Sequence, residues 1–173
     1  MELAVKQKQP NSKMCFVCGL DNAFGLKSRF YELENGELLA LFSPIAEHQG
    51  YPGRLHGGVA AAILDETIGR AVMIPSGGTV WGVTIDFSMR LKKPIPLDGQ
   101  IRVVGRITRD RSRVFEGSGE ILLADGSAAI TATGKYMKMD INSITDADFV
   151  EEAWQVVGDE EDIASVELDS PEG

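Results

Sequence analysis

The chain has 173 residues and is 43% hydrophobic, enough for one well-buried core and too short for two ordinary domains. No apolar stretch approaches the roughly 20 residues that span a bilayer, and the opening MELAVKQKQPNSK lacks the hydrophobic region of a secretory signal, so a soluble cytoplasmic protein is expected, with no membrane partner. The net charge of −9 is unevenly spread: residues 140–173 hold 12 acids and no Lys or Arg, leaving residues 1–139 mildly basic, with 17 bases against 14 acids.

In chain order, residues 1–13 are polar and read as a flexible N-terminus, ahead of a folded domain over 14–139. Cys15-Phe16-Val17-Cys18-Gly19 has the spacing of half a zinc site, and His48 and His56 would bring the donor count to four. A structural zinc finger wants its second pair closely spaced, whereas these histidines lie eight residues apart, so the reading is two reduced thiols and no metal. Segments 26–32 (LKSRFYE) and 37–43 (ELLALFS) are short strands joined through Glu34-Asn35-Gly36, where Asn-Gly supplies the positive φ of a tight hairpin turn. The loop SPIAEHQGYPGR follows, rich in turn formers, and then residues 57–73 form the one strong helix, favoured by length and by its alanines.

After Ser76-Gly77-Gly78 come VWGVTIDFSMRL, GQIRVVGRITRD, RVFEGSGEILL and GSAAITATGKYMKM, four strand-like segments separated by turns. Alternation is clear in the second and fourth, which predicts one sheet face that is wet or covered by something polar. Two strands, one long helix and a four-stranded meander define an α+β layer architecture. Residues 140–173 form an acidic extension, in which DADFVEEAWQVV is expected to make a short amphipathic helix with Phe149, Val150, Trp154 and Val157 along one side, followed by a disordered tail; solubility ranks first as its role, ahead of capping the site or binding a partner.

The stretch RLHGGVAAAILDETIG, residues 54–69, concentrates the chemistry. Glycine costs a helix about 0.5–1 kcal/mol relative to alanine, so a pair at its start either shapes the turn into the helix or lets a ligand approach the backbone closely. The first turn has unsatisfied N–H groups at the positive end of the helix dipole, which suits Gly57 and Gly58 as donors to a developing oxyanion. Asp65 lies in line with Ala61, Ile68 and Val72, where a core residue belongs; a carboxylate there must be paired, protonated or functional, and Thr84 and Ser88 are its candidate partners. Glu66, four residues before Arg70, reads instead as half of a solvated ion pair. Seven residues separate Gly58 from Asp65, about 10 Å at the helical rise of ~1.5 Å, so one helix cannot bring both to one carbon. Two antiparallel copies can, and this predicts a two-fold homodimer with paired sites.

The chain resembles the hotdog-fold acyl-CoA thioesterases, particularly the branch related to the phenylacetate-pathway thioesterases. CFVCGLDNAFGL at 15–26, LHGGVAAAILDE at 55–66 and TIDFSMRLKKPIP at 84–96 carry the resemblance, which extends from about Cys15 to Lys138. It implies an antiparallel sheet of five to six strands wrapped around one long central helix, dimerised edge to edge and often paired again into a tetramer. By similarity, His56 and Gly57 shape the oxyanion site, Asp65 of the partner subunit is general base or nucleophile, and Thr84 holds the water or the carboxylate. Related enzymes often carry Asn or Gln in the loop about six residues before the histidine; here Gly50 stands there, beside Gln49. Hydrolysis of an acyl-CoA thioester follows as the expected activity, with no cofactor and no metal. Arg90, Lys92, Arg111 and Arg113 are candidates for the CoA phosphates, while the absence of a dense basic run interleaved with aromatics argues against nucleic acid. Two other readings stand beside it: a non-catalytic hotdog module that binds acyl thioesters, and a hotdog hydratase, which the position of the histidine directly before the glycines disfavours.

Overall fold

The computed structural model describes residues 1–148, 151 and 154–168. Its centre is helix α1, Gly57–Arg70, which begins where His56 leaves extended backbone and caps the first turn. The expected helix over 57–73 is broken at Ala71 and Val72, and a short α2, Met73–Ser76, carries the chain on to Gly77, whose φ of 60° ends it.

An eight-stranded antiparallel sheet curls around α1 in the order β4-β7-β6-β5-β3-β2-β1-β8. The expected strands appear as β2 (Arg29–Leu33), β3 (Leu38–Phe42), β4 (Trp81–Leu91), β5 (Ile101–Asp110), β6 (Val114–Leu122) and β7 (Ala128–Met139). The β2–β3 turn takes its positive φ only at Gly36 (83°), with Leu33 N–H donating to Glu37 O and Gly36 N–H to Leu33 O. It is therefore a three-residue loop rather than the two-residue Asn-Gly turn.

Close approach of helix and sheet explains the glycines within the strands. A Cβ on Gly117 would stand 2.5 Å from Ile68 Cγ2, and one on Gly105 would stand 2.9 Å from Thr67 O. Into this groove α1 presses Ile63, Leu64 and Ile68, all fully buried with Phe30, Phe42, Phe115, Ile121, Ile130 and Tyr136.

Both termini correct the sequence reading. Glu2–Lys8, expected to be flexible, is β1, paired antiparallel with β2; Ser165–Glu167, expected in a disordered tail, is β8, paired with β1. These two strands raise the count from the expected five or six to eight. They also cover the sheet's outer face with a second apolar cluster of Leu3, Tyr31, Leu33, Leu39, Leu41, Val104 and Leu168. Alternation accordingly holds in β7 but fails in β5, where Val103 and Val104 are buried on opposite faces.

Further ties hold the extension down: Lys8 Nζ to Asp162 at 2.5 Å, Tyr31 OH to Asp162 at 2.8 Å, and Arg29 to Asp159 and Glu161 at 3.0 and 2.5 Å. Phe149 and Val150 of the expected short helix lie outside the described residues. Gln155 bridges Asn11 in extended pairing instead of continuing a helix, and Trp154 packs against Trp81 at a ring separation of 4.7 Å.

Candidate active site

Asp65 sits on α1 where it meets β4 and β7. Its carboxylate accepts from Thr84 Oγ1 at 2.9 and 3.0 Å and from Tyr136 OH at 3.1 Å, and the same hydroxyl lies 3.2 Å from the Asp65 carbonyl oxygen. Of the two expected strand partners, Thr84 is the one observed. Partial burial raises the Asp65 pKa above its ordinary value; the bonds from Thr84 and Tyr136 oppose that rise, and the neighbouring Glu66 adds to it. Tyr136 is itself held protonated, first by burial and then by the Asp65 charge, so it stays a donor. No local motif singles out Tyr136; the inward alternation of β7 was its only sequence signal.

The other end of α1 is arranged differently. The 3-10 turn Ala46–His48 and the loop after it fold back so that His56 N–H donates to His48 O at 2.9 Å, and a Cβ on Gly50 would stand 3.1 Å from His56 Cα. His56 Nδ1 accepts from Gly58 N–H at 2.9 Å. This corrects the expectation that Gly58 donates to a ligand, because its amide is already taken by the cap. Gly57 N–H has no acceptor among the described residues, and a Cβ added there meets nothing within 4 Å. Of the two glycine amides, Gly57 N–H is thus the one that remains available to a ligand. Gln49 Oε1 accepts from Gly53 N–H at 2.7 Å, bracing the loop.

One chain therefore assembles Asp65 with Thr84, and His56 with Gly57, at separate positions along one helix. A cleft of about 410 Å³ opens beside Asp65, bordered by Met73, Trp81, Ile141, Ile144 and Trp154. Three of those residues come from the acidic extension, for which capping the site was one expected role beside partner binding and solubility. Glu66 also departs from expectation: its partner Arg70 lies in the i,i+4 pair at 2.8 Å but is 5% exposed, stacked between Phe30 (4.2 Å) and Trp154 (4.5 Å). The pair is part of the wall and not a solvated one, because the extension folds over it.

The four expected phosphate-binding cations separate. Arg90 pairs with Thr131 and Lys92 follows at one end of the sheet, whereas Arg111 and Arg113 flank the β5–β6 turn near Met137 and Lys138. Arg111 shares a groove of about 280 Å³ with Arg109, Lys135 and Glu116. His48 is buried with both ring nitrogens engaged, Nδ1 by Ile45 N–H at 3.1 Å and Nε2 on Phe24 O at 2.7 Å, which removes it from any metal set. Cys15 and Cys18 are free thiols near Glu66. A hydrogen bond from Cys15 and the charge of Arg70 pull the Cys18 thiol down to about 6 against the effect of burial.

With this geometry in view, residues 52–130 match the family described as the thioesterase superfamily. The chain has the hotdog fold. Over 137 residues, 78% of this chain, it is 30% identical to the acyl-coenzyme A thioesterase THEM4 of Rattus norvegicus, 58% of whose length is covered. The chain thus spans little more than half of that curated relative. A crystal structure of a thioesterase superfamily protein superposes with a TM-score of 0.65 at 29% identity, covering 71% of this chain and 59% of that one. The E. coli PaaI protein from the phenylacetic acid degradation operon shares the fold, with a TM-score of 0.59 at 12% identity over 66% of this chain and 80% of its own. No helix among the described residues is long and apolar enough to cross a membrane.

Proposed function

We propose that this protein hydrolyses acyl-CoA thioesters to free acid and CoA at the interface of a homodimer. The observation that carries the reading is the Asp65 carboxylate, half-buried at the edge of an apolar cleft and held by two hydroxyl donors. The acyl-CoA class comes from the likeness to a protein named acyl-coenzyme A thioesterase.

Strand β4 supports the dimer. It runs 11 residues at the sheet's edge, with one side unpaired among the described residues and Ile85, Met89 and Leu91 exposed at 51, 36 and 59%. A long edge with exposed apolar side chains invites pairing with a second copy. Antiparallel pairing of β4 with its twin reverses α1 as well, and brings Gly57 of one subunit toward Asp65 of the partner subunit. The pairing also makes a second doubling of dimers an open outcome for the other sheet faces.

In the reaction, the Gly57 N–H donates to the thioester carbonyl oxygen, which gains charge as the carbon becomes tetrahedral. Asp65 of the partner subunit takes a proton from water as its oxygen attacks; Thr84 and Tyr136 keep the carboxylate aimed. Collapse expels CoA as thiolate, which takes the proton held by Asp65 and so restores the carboxylate, and leaves the carboxylic acid. The acyl group occupies the cleft under Trp81 and Trp154, and one of the two separated cation groups, Arg90 with Lys92 or Arg111 with Arg113, meets the CoA phosphates. A free-thiol release assay across short, branched, aryl and medium-chain acyl-CoAs tests the reading. Cleavage by the wild type and none by Asp65→Asn is expected; wild-type protein that binds these thioesters and cleaves none would leave the non-catalytic module in its place.

A further inference from the structure

Beside Asp65, the same cleft carries donors that hydrolysis does not use. The sulfurs of Cys15 and Cys18 and a carboxylate oxygen of Glu66 lie within 4.8 Å of one another, and Cys15 and Glu66 both line the cleft. The backbone builds the arrangement. Cys15 Sγ accepts from Val17 N–H at 3.4 Å and Cys18 N–H at 3.5 Å, while Gly19 N–H closes the turn on Cys15 O at 2.8 Å. A Cβ on Gly19 would stand 2.6 Å from Cys15 N, so the tight turn requires glycine. The two amide dipoles oppose, without reversing, the bond to Cys18, the burial and the Glu66 charge that keep the Cys15 thiol protonated, so a metal ion would displace its proton on binding.

We propose that Cys15, Cys18 and Glu66 form a binding site for one thiophilic divalent cation of the Zn²⁺ class, with its fourth position open to the cleft. Two sulfurs and one carboxylate oxygen are a donor set that Zn²⁺ accepts, and three protein ligands with an open place are its usual arrangement outside closed structural sites. A Zn–S distance of about 2.3 Å places two sulfurs ~3.8 Å apart in a tetrahedron, within reach of small side-chain adjustments here. Charge also closes: two thiolates and Glu66 carry three negative charges, Arg70 bonded to Glu66 at 2.8 Å compensates one, and a divalent ion the other two. By sequence the histidines were the only further donors considered, and their spacing argued against a metal; the fold supplies Glu66 from α1, while His48 and His56 are spent on loop and cap.

The test needs no thioester. The full chain, reduced and freed of metal by a chelator, is titrated with Co²⁺ and then with Zn²⁺. Expected are one Co²⁺ per chain, a near-ultraviolet thiolate-to-cobalt band with tetrahedral visible absorption, and displacement by Zn²⁺. Glu66→Gln should weaken binding by about 10–100-fold, and Cys15→Ser should halve the thiolate band, with circular dichroism checking the fold of each variant. Should Cys15→Ser fail to fold, alkylation of the wild type reads the same point: Zn²⁺ should protect the partly exposed Cys15. The proposal is overturned by absence of saturable binding at one equivalent, by a spectrum of octahedral oxygen ligation, or by Cys15 alkylated equally with and without Zn²⁺.

Discussion

The two ends of α1 are built from opposite materials. At the N-terminal end, His56 spends its side chain on Gly58 and leaves Gly57 N–H without an acceptor among the described residues, beneath open space. Toward the C-terminal end, Asp65 is met by Thr84 and Tyr136, and Arg70 by Glu66, Phe30, Trp154 and the Pro10 carbonyl oxygen at 2.9 Å. One end lacks an acceptor and the other holds a prepared acid, with ~12 Å of helix between them at 1.5 Å per residue. Neither end is a complete site for acyl transfer, and the contrast is what a site shared between two copies requires.

The largest effect is expected at Asp65. On the proposed function, Asp65→Asn keeps the shape and removes the proposed base, so thiol release should fall by about 10²–10⁴-fold while gel filtration shows the same oligomeric state as the wild type. Its stability should move the other way. Because burial raises the folded pKa of Asp65, its contribution to stability is fully present below the unfolded value and is lost as pH rises through the raised folded value. At neutral pH the buried charge is a cost, and the amide should unfold at no lower a temperature than the wild type.

Next in size is the helix seat. Gly117→Ala pushes a methyl group toward Ile68 Cγ2, at 2.5 Å before any movement, and should cost about 1–3 kcal/mol in denaturant unfolding. Because the displaced helix carries both Gly57 and Asp65, activity should fall with it.

Trp154→Ala sharpens the C-terminal half alone. It removes the ring over Arg70 and one wall of the cleft, with an expected loss of about 0.5–2 kcal/mol in stability. In a chain-length panel, kcat/KM should shift toward bulkier acyl groups; an unchanged profile would show that the acyl group does not enter this cleft. The smallest effect is expected at Thr84→Ala. Thr84 holds the Asp65 pKa down, so its loss should move the acid limb of the kcat/KM profile to higher pH while Tyr136 still holds the carboxylate.

Much of the inner fold was legible because it rests on short-range signals. The apolar period and the alanines mark α1, the turn residues separate the strands, and an aspartate at a core position pointed to Thr84. The outer layer was not legible. Pairing between Glu2–Lys8 and Ser165–Glu167 joins segments some 160 residues apart, and neither carries a pattern that names the other. Val104, on the outward face of a strand expected to alternate, is dry because Leu3 and Leu168 arrive from the two termini. Arg70 was read as solvated for the same reason: Trp154, which covers it, belongs to a segment whose composition is that of a tail.

What the sequence determined by itself was the order of elements and the chemistry of one helix: a capped, glycine-led start, an acid on the packing face, and strands able to hold it. Those are properties of neighbours along the chain, written in period and propensity. Tertiary structure alone decided which donors reach Asp65, that Gly58 is spent on its own cap, that the cations part to opposite ends of the sheet, and that Cys15, Cys18 and Glu66 converge. Each depends on segments far apart in the chain meeting at atomic distance, and antiparallel register and close helix packing set that distance only once the whole core has formed.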